Sequence, residues 1–227
     1  MDKNLKGIEL MQAGSWEEAA KAFNDAIEEN PDDPVAYINF GNLLAATGDE
    51  ERALKFFGKA LRLDENAASA YYSIGTIHYN NQDFEKAKEA FEAAMKKGLD
   101  NSDNFFMLGM SLVQLGNNRL ALAYLQRSTE LDPEDPDARF HYGLCLAEEG
   151  LIDHAILQFE TCIQIDPDHA DACYNLGVAF AFKEQPEKAL EMLDEALKIN
   201  PGHTMAEEVK NILTASMGNS NTEDYIG

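Results

Sequence analysis

The chain of 227 residues is acidic, because 18 Lys and Arg stand against 41 Asp and Glu and give a formal net charge of −23, while 45% of the residues are hydrophobic. This charge excludes nucleic acid and anionic membrane surfaces as partners and favours basic or apolar proteins. No apolar run approaches the roughly 18 residues that cross a bilayer, and the N-terminal residues lack the apolar core of a signal peptide, so we expect a cytoplasmic protein.

A spacing of 34 residues repeats from the N-terminus to about residue 203. Glycine inside a helix costs about 1 kcal/mol relative to alanine, so glycine at one phase of every repeat predicts a close approach between two helices. Large residues, mostly Phe and Leu, fill an intervening column, as interdigitated helix layers require. The glycines are Gly7, Gly41, Gly75, Gly109, Gly143 and Gly177, and a parallel alanine column is Ala19, Ala53, Ala87, Ala121, Ala155 and Ala189.

This pattern resembles the tetratricopeptide repeat family, in which Gly, Ala and Pro recur on helix–turn–helix units of about 34 residues. Helix-ending prolines stand in the same register at Pro31, Pro133, Pro167 and Pro201. The resemblance implies an all-α fold, a right-handed superhelical α-solenoid in one domain over residues 1–217. Its six units are residues 1–33, 34–67, 68–101, 102–135, 136–169 and 170–203.

A seventh, capping helix is predicted over residues 204–217, ending at Gly218, with a disordered polar tail over residues 218–227. Its apolar stripe at helical spacing is interpreted as the face that covers the last core layer. The stripe consists of Met205, Val209, Ile212, Leu213 and Met217.

The helix-ending proline is replaced by Glu65 after the second unit and by Leu99 after the third. The junction after the third unit, which reads KKGLDNS, is the most irregular one. Gly98 just before Leu99 is predicted to cap the preceding helix. We expect the largest change of angle between neighbouring units at this junction.

In the family that this chain resembles, the first helices of successive units line a concave wall that binds peptides. At the corresponding positions we predict an apolar wall with acidic edges. The predicted peptide-binding residues are Asn39, Asn42, Tyr72, Tyr79, Phe106, Met107, Met110, Val113, Phe140, Tyr174, Asn175 and Phe182, and the acidic edge is Asp103, Asp137 and Asp171.

Four aromatic residues of this set, Tyr72, Phe106, Phe140 and Tyr174, recur at the fifth position of their units. As anchors for a ligand, each would contribute about 1.5–3 kcal/mol on burial. Packing against neighbouring helices is the alternative role for each ring, and the sequence leaves both roles open.

Family members that clamp a terminal carboxylate use Lys, Arg and Asn on this wall. Here the wall positions hold no Lys or Arg, so an anionic peptide end would meet only like charges. We therefore predict a non-catalytic adaptor whose partner is a protein or peptide with apolar anchors and basic flanks. The alternative is a self-associating scaffold, a homo-oligomer formed through the wall, the ends of the array or the tail at Tyr225 and Ile226.

Catalytic and cofactor motifs do not occur in the sequence, which has no phosphate-binding loop, no metalloprotease motif and no paired-cysteine zinc spacing. His141 and Cys145 lie one turn apart with Cys173 in the next unit, but this set is incomplete for zinc, and core packing is the better interpretation. We expect no enzyme activity, no cofactor and no metal. The three cysteines, Cys145, Cys162 and Cys173, are expected to be reduced thiols.

Overall fold

The computed structural model describes the backbone of residues 2–223 and the side chains of residues 2–217. Over residues 2–223 the chain forms thirteen α-helices, and the predicted all-α fold class is confirmed. The helices fall into two compact units, Met1–Gly116 and Asn117–Gly227.

In the first unit each helix packs against the next one along the chain, and the first helices of successive repeats also touch each other. Its core is centred on Phe23, Leu43 and Phe57. The helices are α1 Lys3–Gln12, α2 Trp16–Glu29, α3 Pro34–Ala46, α4 Glu50–Leu63, α5 Ala68–Asn80, α6 Phe84–Lys96 and α7 Ser102–Gln114.

The second unit repeats the same arrangement and has two neighbouring core clusters. Phe159, Leu176 and Phe180 belong to one, and Leu193 and Ala206 to the other. The helices are α8 Asn118–Leu131, α9 Pro136–Glu148, α10 Ile152–Ile165, α11 Ala170–Phe182, α12 Pro186–Ile199 and α13 Thr204–Glu223.

From α2 onward, helix starts recur every 34 residues within each unit, for example at Pro34 and Ala68 in α3 and α5. The local sequence explains these starts, because proline suits the first helical position and an Asp before it supplies a capping oxygen. Asp33 accepts a hydrogen bond from the backbone N–H of Val35 at 2.9 Å, and Asp135 accepts one from Ala138 at 3.1 Å.

The predicted close approach at the glycine column is confirmed. A Cβ added at Gly75 would lie 2.7 Å from Cε1 of Phe91, closer than real Cβ contacts come. The first and second helices of a repeat can therefore press together only where the first helix carries no side chain.

Two residues stabilise the irregular junction between α6 and α7 in the first unit. Gly98 follows the end of α6 with φ of +97°, as a capping glycine should, and this prediction is confirmed. Asn104 is fully buried, and its Nδ2 donates to the carbonyls of Phe91 and Leu99 at 3.2 and 3.4 Å. The expected change of angle at this junction stays a prediction.

The predicted C-terminal boundary is wrong. Helix α13 continues through Gly218 to Glu223, so residues 218–223 are helical rather than disordered. One glycine in a helix interior costs only about 1 kcal/mol, which is too little to end a helix by itself. Tyr225 and Ile226 lie outside the described residues, and the assignment of residues 1–217 to a single domain stays a prediction.

Candidate functional site

We call the face of the first helices that carries the predicted peptide-binding residues the first-helix wall. In the first unit its polar part lies on α3 and α5. Ser73 Oγ donates to Asn42 Oδ1 at 2.8 Å and joins the two helices. Nδ2 of Asn39 is buried and has no hydrogen-bond partner among the described residues. Between α3 and α5 lies an open depression of about 470 Å³, lined in part by Asn42, Tyr72 and Asn80.

The aromatic residues of this unit are half-buried. The ring centroid of Tyr72 lies 5.6 Å from that of Phe91, and that of Tyr79 lies 5.4 Å from that of Phe84. Burial raises the pKa of the Tyr72 hydroxyl, and the charge of Asp103 raises it further. Each tyrosine therefore packs on a second-helix phenylalanine while part of its ring stays accessible.

Helix α7 gives a mixed result. Phe106, Met107 and Val113 are half-buried. Met110 is only 8% exposed, so the prediction that it forms part of the accessible wall is wrong. A flexible methionine fills irregular gaps between helices, and here the side chain is used in packing.

In the second unit the fifth-position aromatic residues pack against histidines. The Phe140 centroid lies 4.6 Å from the ring of His169 and 6.1 Å from that of Phe159. The Tyr174 centroid lies 4.8 Å from the ring of His203. Packing is thus one role of Phe140 and Tyr174, and both remain only half-buried.

The predicted acidic edge is exposed at all three residues, Asp103, Asp137 and Asp171. Asp171 Oδ1 lies 3.1 Å from Nε2 of His203, although the Asp171 side chain is still 65% exposed. Asn175 donates its Nδ2 to the Asp171 carbonyl at 2.8 Å, so this amide is engaged with its own helix.

Phe182 is the most exposed large hydrophobic residue among the described side chains, at 72%. In the second unit, sequence reasoning missed three further exposed apolar residues of the wall, Val178, Met205 and Ile212. Met205 and Ile212 were assigned to the stripe that covers the core, but α13 packs through Val209 and Leu213 instead. The signal was present, because Ile212 follows Val178 by one repeat length and so shares its wall position.

The cysteines of the second unit are buried. Cys145 donates its thiol to the Asn118 carbonyl at 3.3 Å, and burial raises its pKa to about 11 and that of Cys162 to about 12, so both thiols are neutral. Among the described residues no three His, Cys, Asp or Glu side chains are placed to hold a metal ion. No helix within residues 2–223 is both long and apolar enough to cross a membrane.

Comparisons with known proteins agree with this geometry. Tetratricopeptide repeat profiles match residues 4–70, 106–168 and 170–203, and residues 46–128 also match the profile of subunit 3 of the anaphase-promoting complex, or cyclosome. The TPR repeat-containing protein YrrB of Bacillus subtilis (strain 168) is 54% identical over 39 residues, which are 17% of this chain and 19% of that protein.

Two solved structures extend the comparison. A crystal structure of YrrB, described as a TPR protein with an unusual peptide-binding site, is 50% identical and has a TM-score of 0.79, covering 85% of this chain and 99% of that one. PilF of Pseudomonas aeruginosa, 19% identical with a TM-score of 0.81 over 92% of this chain and 95% of that one, shares the fold alone.

The helix pairs, their glycine contacts and the wall of first helices define a helical-repeat protein. The profile matches extend over more than half of the residues, and the chain belongs to the tetratricopeptide repeat family.

Proposed function

We propose that this chain is a non-catalytic adaptor that binds a peptide or protein segment along its first-helix wall. One observation carries the proposal: the wall positions combine exposed apolar side chains with carboxylates and include no Lys or Arg. The similarity to YrrB, a protein described as having a peptide-binding site, supports the same class of ligand.

The carboxylates of the wall favour positively charged residues on either side of the ligand's apolar anchors. Asp103 and Asp137 are exposed, and the chain as a whole carries a net charge of −23. At physiological salt, charges further apart than about 8 Å are screened, so carboxylates close to the ligand supply the attraction. A ligand with Lys or Arg beside its anchors fits, and its affinity falls as salt rises.

The apolar anchors are unequal. Phe182 and Ile212 expose most of their side chains, whereas Tyr72 and Tyr174 offer only the part that does not pack on Phe91 or His203. Burying one large apolar side chain contributes about 1.5–3 kcal/mol. After the cost of association, a few such anchors correspond to affinities on the order of micromolar.

The test is selection from a library of short random peptides on the immobilised protein. We expect enrichment of peptides with aromatic or aliphatic residues beside Lys or Arg. Phe182→Ser should weaken the selected peptides about tenfold, since an anchor contributes at least 1.4 kcal/mol. Leu157→Ser is the matched control, because Leu157 is 56% exposed but lies on the second helix α10, and it should leave binding unchanged.

Two results would contradict the proposed function. Enrichment of acidic peptides, or of peptides that need a free terminal carboxylate, would show that the charge argument is wrong. Equal binding by the wild type and Phe182→Ser would show that the ligand lies elsewhere on the molecule.

Self-association is the second candidate, favoured by Met205 and Ile212, which are 54% and 62% exposed on the last helix. Sedimentation over a range of concentrations tests it, and an oligomer that Ile212→Ser dissociates is the supporting result. A wild-type monomer at every concentration removes this candidate and leaves the adaptor proposal standing.

A further inference from the structure

A side chain just before the helix caps most first helices, with α5 as the exception because Ala67 precedes it, and the capping atom changes along the chain. In the first unit the capping atom is a carboxylate or amide oxygen, as at Asp33 and Asn101. Before α11 and α13 it is a ring nitrogen. His169 Nδ1 accepts the backbone N–H of Ala172 at 3.1 Å, and His203 Nδ1 accepts that of Ala206 at 3.2 Å.

These bonds need a neutral imidazole. A nitrogen that accepts a hydrogen bond carries no proton, so Nδ1 must be free and the proton must sit on Nε2. At His203 the second contact agrees, because Nε2 lies 3.1 Å from Asp171 Oδ1 and donates to it. A doubly protonated ring would direct an N–H at the N–H of Ala206 and lose the cap.

We propose that His169 and His203 are acid-sensitive caps, which hold the N-terminal turns of α11 and α13 at neutral pH and release them when the imidazoles take up protons. Histidine is the side chain whose charge changes within the cellular pH range. The Asp and Asn caps of α1, α3, α7 and α9 keep their acceptor oxygens in that range.

The charges around His203 decide the sign of this effect. Helix α11 presents Asp171 and the phenol of Tyr174, α12 carries Glu195 beside the buried Cys173, and α13 carries Glu207 in its first turn. The carboxylates favour a cation at the ring.

Three features oppose that cation. His203 is only 7% exposed, protonation breaks the bond to Ala206, and a positive charge at a helix N-terminus opposes the helix dipole. Asp171, the carboxylate in contact with the ring, is itself largely solvated, which weakens its attraction. On acidification we therefore expect the hydrogen bond from Ala206 to be lost.

Around His169 the neighbouring groups are of the same kinds. Its ring lies on Phe140, and neighbouring α9 contributes Asp137 and the half-buried His141. Burial lowers the pKa of His141, and the charge of His169 lowers it further while Asp137 raises it. Asp166 and Asp168 precede His169 in its own connection.

The consequence for binding rests on the proposed function. Both capping rings lie against the half-buried wall aromatics Phe140 and Tyr174. Release of the caps frees these rings and the start of α13, which carries the exposed Met205. Acidification would then loosen the wall of the second unit and release its ligand.

The decisive experiment uses the full chain without ligand, so it is independent of the adaptor proposal. Nitrogen-15 NMR of the histidine rings reports which nitrogen is protonated, and amide hydrogen exchange reports the Ala172 and Ala206 caps. Between about pH 7.5 and 5.5 we expect the protection of both amides, corrected for intrinsic rates, to fall roughly fivefold, the worth of one helix cap.

Two variants make the experiment specific. His203→Asn introduces the cap that this chain uses at Asn101, and it should abolish the pH effect at Ala206 while leaving that at Ala172. His154→Asn removes an exposed histidine of the same unit and should change neither.

Three results would overturn the proposal. They are a ring of His203 that carries its proton on Nδ1 at neutral pH, amides equally protected across the range, and protection that rises on acidification because the pair with Asp171 dominates. A normal pH response combined with no peptide binding would leave the caps intact and remove only the adaptor function.

Discussion

The ring of Phe57 occupies the space into which a side chain on Gly41 would project. A Cβ built at Gly41 lies 2.5 Å from Cε1 of Phe57, and Phe57 is fully buried. We predict that Gly41→Ala destabilises the protein by about 2 kcal/mol or more, because the ring has no room to move and overpacked cores distort. Urea unfolding followed by circular dichroism measures the loss.

Gly58→Ala is the matched control for this substitution. Gly58 also lies inside a helix, α4, but the nearest atom to its added Cβ is Nη1 of Arg62 at 3.7 Å, an ordinary contact. We expect Gly58→Ala to stabilise by up to about 1 kcal/mol, since alanine favours helix. Equal effects of the two substitutions would contradict the steric explanation of the glycine column.

Two turns are strained by non-glycine residues. Gln82 and Glu184 have φ of +62° and +57°, whereas the equivalent turns use glycine, as at Gly48 with φ of +84°. A side chain in this left-handed region costs about 1–2 kcal/mol, partly offset by the greater entropy that glycine loses on folding.

We therefore predict that Gln82→Gly and Glu184→Gly each raise the free energy of unfolding by about 0.5 kcal/mol. Gly48→Gln, the reverse change, should lower it although nothing lies within 4 Å of its added Cβ. Thermal melting of the three variants tests the rule. A lower melting temperature for Gln82→Gly would show that its side chain makes a contact that matters more than the strain.

The sequence was sufficient to predict the helix register, because it depends on neighbours close in the chain. The turn at Gly48 and the contact of Gly41 with Phe57 lie within one repeat. The predicted C-terminal boundary at Gly218 was wrong, because no local signal after this glycine is strong enough to stop the helix.

The depth of each wall residue was not predictable from register. Met110 and Val178 hold the same ninth position of their repeats, yet they are 8% and 37% exposed. Register decides which face a side chain lies on, whereas exposure depends on the size of residues in adjoining helices. Likewise the contact of Tyr174 with His203 joins the fifth position of one repeat to the residue that caps the first helix of the next repeat, which single columns do not reveal.

The buried thiol of Cys162 should make stability depend on alkaline pH. Burial raises its pKa from the usual value near 9 to about 12, so the thiol ionises later in the folded chain than in the unfolded one. The stabilisation that follows from this difference in pKa is complete below pH 9. It is lost as the pH rises from 9 through the pKa of the thiol in the folded chain.

The comparison variant is Cys162→Ala, since alanine fills the same position in most other repeats, as at Ala60. Between about pH 8 and 10.5 the wild type should lose on the order of 1 kcal/mol of stability relative to Cys162→Ala, measured by urea unfolding. Parallel pH profiles would show that the thiol does not ionise first in the unfolded chain.

Asn104 should be a structural requirement of the irregular junction between α6 and α7. Buried alanine holds the same third position in other repeats, as at Ala70, whereas Asn104 donates to the carbonyls of Phe91 and Leu99. Asn104→Ala removes these bonds but also removes a buried Oδ1 without a partner, so the net cost should be about 1 kcal/mol. Asn104→Asp should cost more, because it buries a carboxylate against carbonyl oxygens. Urea unfolding of both variants gives the order, and an alanine variant at least as stable as the wild type would show that the junction does not need the amide.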